Sequence, residues 1–186
     1  MPPHPLATTP LHFGPFPITP QIFHLTPLSF ALVNLKPLLP GHVLICPRRV
    51  VPRLSQLSTA EISDLFLTVQ RVSRMIERVY AADALNVAVQ DGVAAGQSVP
   101  HVHAHVIPRR NGDMEGRGGG DRVYEMLEGE EGDVGAALRE VERQRKREAE
   151  GNRAFAKPDA ERLPRSLEEM EEEARALAKE MEREVD

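Results

Sequence analysis

Three histidines alternate strictly in the stretch "SVPHVHAHVIPRR", residues 98–110: His101, His103 and His105, separated by Val102 and Ala104. On an extended chain residues i, i+2 and i+4 face one way, so the imidazoles form a row with neighbours about 7 Å apart. Val102, Ala104 and Val106 then face a core. Packing alone does not ask for such a row, because each ring carries two nitrogens that need partners when buried. Two chemistries use it. Alternating imidazoles converge on zinc or a similar borderline ion, and His42 and Asp91 are the further ligands this chain offers. Alternatively, one neutral ring attacks phosphorus while a charged neighbour donates to an anion, and repulsion between imidazolium ions imposes mixed protonation along the row. A neutral histidine takes a nucleotidyl group as a phosphoramidate, the leaving phosphate needs a proton or charge stabilisation, and water then releases the product.

The elements that must position this row are short. Twelve of the sixteen prolines fall before residue 53, and proline cannot donate to a sheet ladder, so brief strands joined by turns are expected there. "QIFHL", "LSFALVN" and "HVLICP" read as an antiparallel meander with "KPLLPG" as its last turn; "ALNVAVQ" and "HVHAHVI", joined by the ten-residue loop "DGVAAGQSVP", form a second antiparallel pair. A helix starts at Ser58, which has capping-box spacing to Glu61, and its apolar stripe is Ile62, Leu65, Phe66, Val69, Val72, Ile76 and Val79. A last helix starts at Ser166, with the same spacing to Glu169. This is an α+β pattern of four or five strands and two helices.

Four segments follow: a disordered N-terminal extension, residues 1–12; the domain proper, 13–127; a charged mobile insertion, 128–162, with a helical patch near 134–149; and a C-terminal helix, 163–186, packing on the domain. After residue 110 only Tyr124 and Phe155 are aromatic, so no second core is expected there. The charge is uneven. Residues 1–120 hold ten Lys/Arg against seven Asp/Glu and the remainder thirteen against twenty-one, so the net −5 comes from the tail. No concentrated basic face is visible, which argues against nucleic-acid binding. No apolar run is long enough for a bilayer, which argues against a membrane. The first basic residue is Lys36, and early positive charge of the targeting kind is absent. The single Cys46, in "GHVLICP", reads as a buried thiol in a reducing compartment. The expected location is the cytoplasm, with the nucleus as a second compartment.

"HVHAHVI" is similar to the His-x-His-x-His-x-x signature of the histidine triad (HIT) family. The chain resembles its fragile histidine triad branch, the dinucleoside triphosphate hydrolases, over "LSFALVNLKPLLPGHVLICPRR", "VQDGVAAGQSVPHVHAHVIPRRNGD", "DRVYEMLE" and "RSLEEMEEEARALA". The resemblance implies the HIT fold: an antiparallel five-stranded sheet with one long and one C-terminal helix, two copies joining into a homodimer. It implies hydrolysis of a dinucleoside polyphosphate, preferably the triphosphate to AMP and ADP, through a nucleotidyl-histidine intermediate.

Residue by residue, the resemblance makes His103 the nucleophile. His105 and Gln97 hold the scissile phosphate and leaving group, and His101 orients the site with His42. Asn34 and Gln90 contact the nucleotide, Asn34 at the ribose, and Ser98 stands in the phosphate loop where threonine is familiar. Pro100 before the triad, the longer N-terminus and the long charged insertion are departures that remove no catalytic group. A divalent cation, Mg²⁺ or Mn²⁺, is expected to arrive with the polyphosphate, which asks few protein ligands of it, and no tightly bound metal is expected. The phosphoramidase branch is less similar, since this chain has "PRR" after the triad and no tryptophan. The nucleotidyl-transferase branch places glutamine where His105 stands. A dinucleotide-binding signalling module with slow turnover is the reading from another class, favoured by the acidic tail and Tyr124.

Overall fold

The computed structural model describes residues 10–129, 133–149 and 165–184. Its centre is a five-stranded antiparallel sheet of β3 (Ile22–Leu25), β4 (Ser29–Val33), β5 (Val43–Pro47), β6 (Ala84–Val89) and β7 (Ala104–Arg109), in the order β3-β4-β5-β7-β6. All five residues of β4 and of β5 are buried. This is the burial expected of central strands whose sequence is apolar without alternation. β6 lies at the edge, and its Val87 is 48% exposed.

The long helix α1 (Thr59–Tyr80) begins with both halves of the capping box, Ser58 accepting from Glu61 N–H and Glu61 accepting from Ser58 N–H. Its buried stripe is Leu65, Thr68, Val69, Val72, Met75 and Ile76, packed on β4, β5 and β7. Phe66 and Val79, expected in that stripe, are exposed at 43% and 38%. Phe66 lies about 100° around the helix from buried Leu65, off the face that meets the sheet, whereas Val79 is on that face but in the last turn, beyond Met75 and Ile76. The C-terminal helix α4 (Leu167–Met181) carries the second capping box, Ser166 with Glu169, and buries Met170, Ala174, Leu177 and Met181 against β3 and the turn before it.

Three expectations are corrected. First, the row of histidines is not all strand: β7 starts at Ala104, so His101 and His103 precede it. Ala104 pairs with Ile45, which sets Pro47 opposite Val102 in the same register. Proline has no N–H to give, so the ladder stops there. Val102 N–H bonds instead to Val51 O at 2.7 Å, which keeps the segment extended beside the sheet.

Second, the ordered chain begins earlier than residue 13. A hairpin of β1 (His12–Phe13) and β2 (Phe16–Pro17) turns through Gly14 and Pro15, and Leu11, Phe13 and Phe16 are buried in the main core. Residues 1–9 of the expected extension lie outside the described residues.

Third, the segment after Glu128 does contribute to the core. Following α2 (Arg122–Glu128), α3 (Val134–Ala149) inserts Val134 and Leu138 into the same cluster as Val99. Two apolar side chains one turn apart suffice to seat a charged helix. Residues 130–132 and 150–162 of the expected insertion lie outside the described residues.

Candidate active site

The three histidines and His42 are each at most 2% exposed, yet every ring has a defined hydrogen-bonding role. β7 positions His105, whose register partners Leu44 on β5 and Ala88 on β6 flank it on one face of the sheet. The bonds determine which nitrogen of each ring carries the proton, because a backbone N–H can only donate and a carbonyl only accept.

Leu38 N–H donates to His42 Nδ1 at 3.1 Å, so neutral His42 holds its proton on Nε2. That nitrogen donates to His105 Nδ1 at 2.9 Å. His105 therefore carries its proton on Nε2, a buried atom with no partner. The site thus contains an aimed, unused N–H donor. His103 is set the other way: its Nδ1–H donates to His101 O at 2.7 Å, which leaves the lone pair on Nε2. The rings of His103 and His105 lie 4.9 Å apart, so the ring with a bare nitrogen neighbours the ring with a free donor.

His101 is scaffolding. Its Nδ1 accepts from Gly14 N–H at 3.0 Å and its Nε2–H donates to Pro47 O at 2.8 Å, so both nitrogens are used. Phe13 from the N-terminal hairpin packs against His101 at 5.7 Å and meets His103 edge-on at 5.0 Å. Gly14 has φ +56°, and a Cβ there would stand 2.7 Å from Val99 Cγ1, so the hairpin can reach His101 only with glycine at its turn. Phe13 and Gly14 were not foreseen as site residues. "FGPF" is a legible turn signal, but nothing local says where the turn lands.

Burial pushes all four imidazoles down. His42 falls to about 3, through burial first and then through His103 and Arg165; His101 falls to about 4 through burial, with His103 adding to it. His103 is lowered by burial, and His105 well lowered by burial and by its neighbours His103 and His42. The four rings are therefore neutral at pH 7, and the expected mixed protonation is replaced by mixed tautomers. One ring keeps a bare nitrogen and its neighbour a donor without any net charge.

The remaining site residues fall into two groups. Asn34 is buried at the end of β4, its Oδ1 accepting from Lys36 N–H at 3.0 Å and its amide nitrogen 3.4 Å from both ring nitrogens of His42. It belongs to the His42–His105 side. The loop residues are engaged with protein: Gln97 Oε1 accepts from Gly92 N–H at 3.1 Å and its Nε2 donates to Pro52 O at 2.9 Å. Gln90 donates to Leu127 O at 3.2 Å, and Ser98 Oγ accepts from Gly135 N–H of α3 at 3.3 Å. As placed, Gln97 braces the loop beside the triad, and a contact with a leaving group requires its amide to release Pro52.

A metal centre does not emerge from these residues. Asp91, the other candidate ligand, is held by Arg53 at 3.2 Å and by Leu54 N–H at 2.9 Å. Among the described residues no cluster of three or more His, Cys, Asp or Glu side chains is arranged to hold an ion. Cys46 is fully buried, and burial raises its thiol pKa well above the ordinary range.

The HIT domain family model matches residues 17–112. A Schizosaccharomyces pombe protein, bis(5'-nucleosyl)-tetraphosphatase [asymmetrical], is 47% identical over 171 residues, covering 90% of this chain and 92% of that protein. The Arabidopsis thaliana bifunctional bis(5'-adenosyl)-triphosphatase/adenylylsulfatase FHIT is 45% identical over 163 residues, 87% of this chain and 79% of that one. The crystal structure of the C. elegans NitFhit protein superposes with a TM-score of 0.65 at 35% identity, covering 94% of this chain and 31% of that larger chain.

Proposed function

Because the chain belongs to the HIT domain family, we propose that it is a hydrolase of dinucleoside polyphosphates acting through a nucleotidyl-histidine. The relatives' names support the reaction class, and they divide between triphosphatase and tetraphosphatase. The triphosphate is our reading of its preferred substrate. One observation carries the mechanism: the ring of His103, with its bare Nε2, lies 4.9 Å from the ring of His105, with its unpartnered Nε2–H.

The His103 lone pair attacks the α-phosphorus. The N–P bond forms and the bridging P–O bond breaks, releasing ADP from a triphosphate substrate. As His103 becomes cationic, its Nδ1–H bond to His101 O strengthens. His105 donates to the phosphoryl oxygens where charge develops. Water then adds to phosphorus, the N–P bond breaks, AMP leaves, and the proton of water passes to solvent. Asn34 and Gln90 meet the nucleotide, and Ser98 and Gln97 hold the phosphate loop. Mg²⁺ or Mn²⁺ enters as part of the polyphosphate.

Incubation with diadenosine triphosphate or tetraphosphate plus magnesium should yield AMP with ADP or with ATP, and rapid quench should trap a nucleotide on His103. No AMP from either substrate rejects the reaction, while an adduct that persists in His103→Ala rejects the assignment. We read the protein as cytoplasmic, with the nucleus as a second compartment, and as a homodimer through the exposed edge at β6. Neither nucleic acid nor membrane is among the partners of this reading. A monomeric mass in light scattering at micromolar concentration overturns the dimer.

A further inference from the structure

The nucleotide side of the site is held from behind by a chain of bonds that joins three elements. Arg165 stands just before the N-cap of α4. Its backbone N–H donates to Leu35 O at 3.1 Å, and its guanidinium donates to Asn34 O through Nε at 3.1 Å and through a second nitrogen. Its remaining nitrogen pairs with Glu173, two turns into α4. The other oxygen of Glu173 accepts from Tyr80 Oη at 2.8 Å. Tyr80 ends α1, and burial, with the Glu173 carboxylate, keeps its phenol protonated and able to donate. The ring of Tyr80 lies on Gly41, which has φ +83° and where a Cβ would fall 2.7 Å from Tyr80 Cδ2. Gly41 immediately precedes His42. The chain therefore starts on the backbone of Asn34 and ends under the backbone of His42.

α4 makes other ion pairs: Glu180 holds Arg78 of α1 at 2.6 Å, with that arginine 43% exposed. Arg175–Glu171 and Arg183–Glu180 link neighbouring turns of the same segment, with arginines 63% and 69% exposed. Arg165 and Glu173 are 22% and 20% exposed, and this pair alone among them reaches the backbone of Asn34. Partial desolvation and a forked donor make such bonds worth more than exposed pairs.

We propose that Arg165, Glu173 and Tyr80 form a clasp that positions Asn34 for the nucleotide, so that docking of α4 sets nucleotide affinity. This rests on the hydrolase reading above. All three are positioning residues, since none touches the triad. The relay from His42 to His105 has its own support from Leu38 N–H, so loosening the clasp should act on binding more than on chemistry.

The test uses the full chain with Arg165→Gln, Arg165→Lys, Tyr80→Phe and, as a control on the exposed face of α4, Arg175→Ala. KM and kcat are read with diadenosine triphosphate, and Kd with AMP. Loss of one well-held hydrogen bond is worth roughly tenfold. Arg165→Gln should raise KM and the AMP Kd about tenfold with kcat within threefold, and Lys should restore part of the loss. Tyr80→Phe keeps the ring on Gly41, so it should fold even if Arg165→Gln does not, and raise both constants about threefold. Unchanged KM and Kd in Tyr80→Phe and Arg165→Lys overturn the clasp. So does an equal rise in Arg175→Ala, which would mean general loosening of α4. A wild-type protein that binds AMP but releases no product sinks the hydrolase reading and leaves the binding comparison to judge the clasp.

Discussion

Removing His42 should cost nearly as much activity as removing His105, although His42 touches no substrate in the proposed reaction. In the wild type Leu38 N–H fixes the proton of His42 on Nε2, and that N–H fixes the proton of His105 on its own Nε2. In His42→Ala nothing holds His105 Nδ1 as an acceptor, so the ring is free to carry its proton there and turn a lone pair toward the phosphates. Losing an aimed donor to developing charge costs on the order of 10² to 10³ in kcat, about 3 to 4 kcal/mol. Since both substitutions remove the same donation, the double variant should lie close to either single one, within about 1 kcal/mol of it, instead of summing to roughly 10⁵. Release of AMP and ADP from diadenosine triphosphate, measured for the wild type and the three variants at pH 7.5, gives the cycle. A kcat within threefold of wild type for His42→Ala, or additive losses in the double variant, would refute the relay.

Acid should unfold this protein early. His42 and His101 have folded pKa values of about 3 and 4 against 6.5, so below pH 6.5 the unfolded chain binds more protons and stability falls with pH; at pH 5 each contributes a loss of about 2 kcal/mol. His103 and His105 act in the same direction, and a melting temperature roughly 10 °C lower at pH 5 than at pH 8 is expected, whereas a flat profile would mean that the row is charged in the fold. Leu138→Ala in α3 should destabilise by about 2 kcal/mol or more in urea, because the side chain is buried in the main core; a change under about 0.5 kcal/mol would mean that α3 does not stay seated. Elemental analysis of purified protein should find no stoichiometric zinc, since of the four imidazoles only the Nε2 atoms of His103 and His105 are left unengaged, fewer than the ligands a closed zinc site takes; one tightly held zinc per chain would restore the metal-centre alternative.

What was legible in the sequence was local. The capping boxes at Ser58 and Ser166 need residues three apart, and both form as their spacing requires. The strands of the meander declare themselves by β-branched runs, and the alternation does place the rings of His103 and His105 side by side. What was hidden depends on distant contacts. The span from Gly14 to His101 is 87 residues and from Arg165 to Asn34 is 131, and no period or motif links residues so far apart. The stop of β7 at Ala104 depends on Pro47 in another strand. The helical patch of α3 could be read, but not its seat, because the few apolar residues in a charged run look like noise until Val134 and Leu138 are known to join the main core and Gly135 to meet Ser98.

The protonation pattern shows why a row of imidazoles could be read from sequence and their charges could not. Free imidazole titrates near 6.5, and on that basis a row of three at pH 7 must share protons. Burial removes the premise, for a ring with no water around it is cheaper to keep neutral than to charge. The fold distinguishes one ring from the next by the direction of single hydrogen bonds: a carbonyl at His101 orders the proton on His103, and a backbone N–H at Leu38 orders, through His42, the proton on His105. Each of those backbone groups lies in a segment outside the sheet ladder. The loops around the sheet therefore decide what each histidine can do, and the strand supplies only their neighbourhood. It follows that exchanging His103 and His105 in role would require moving backbone groups, not side chains, which is why a variant that keeps all three histidines but displaces Leu38 or the turn at Gly14 should still lose activity.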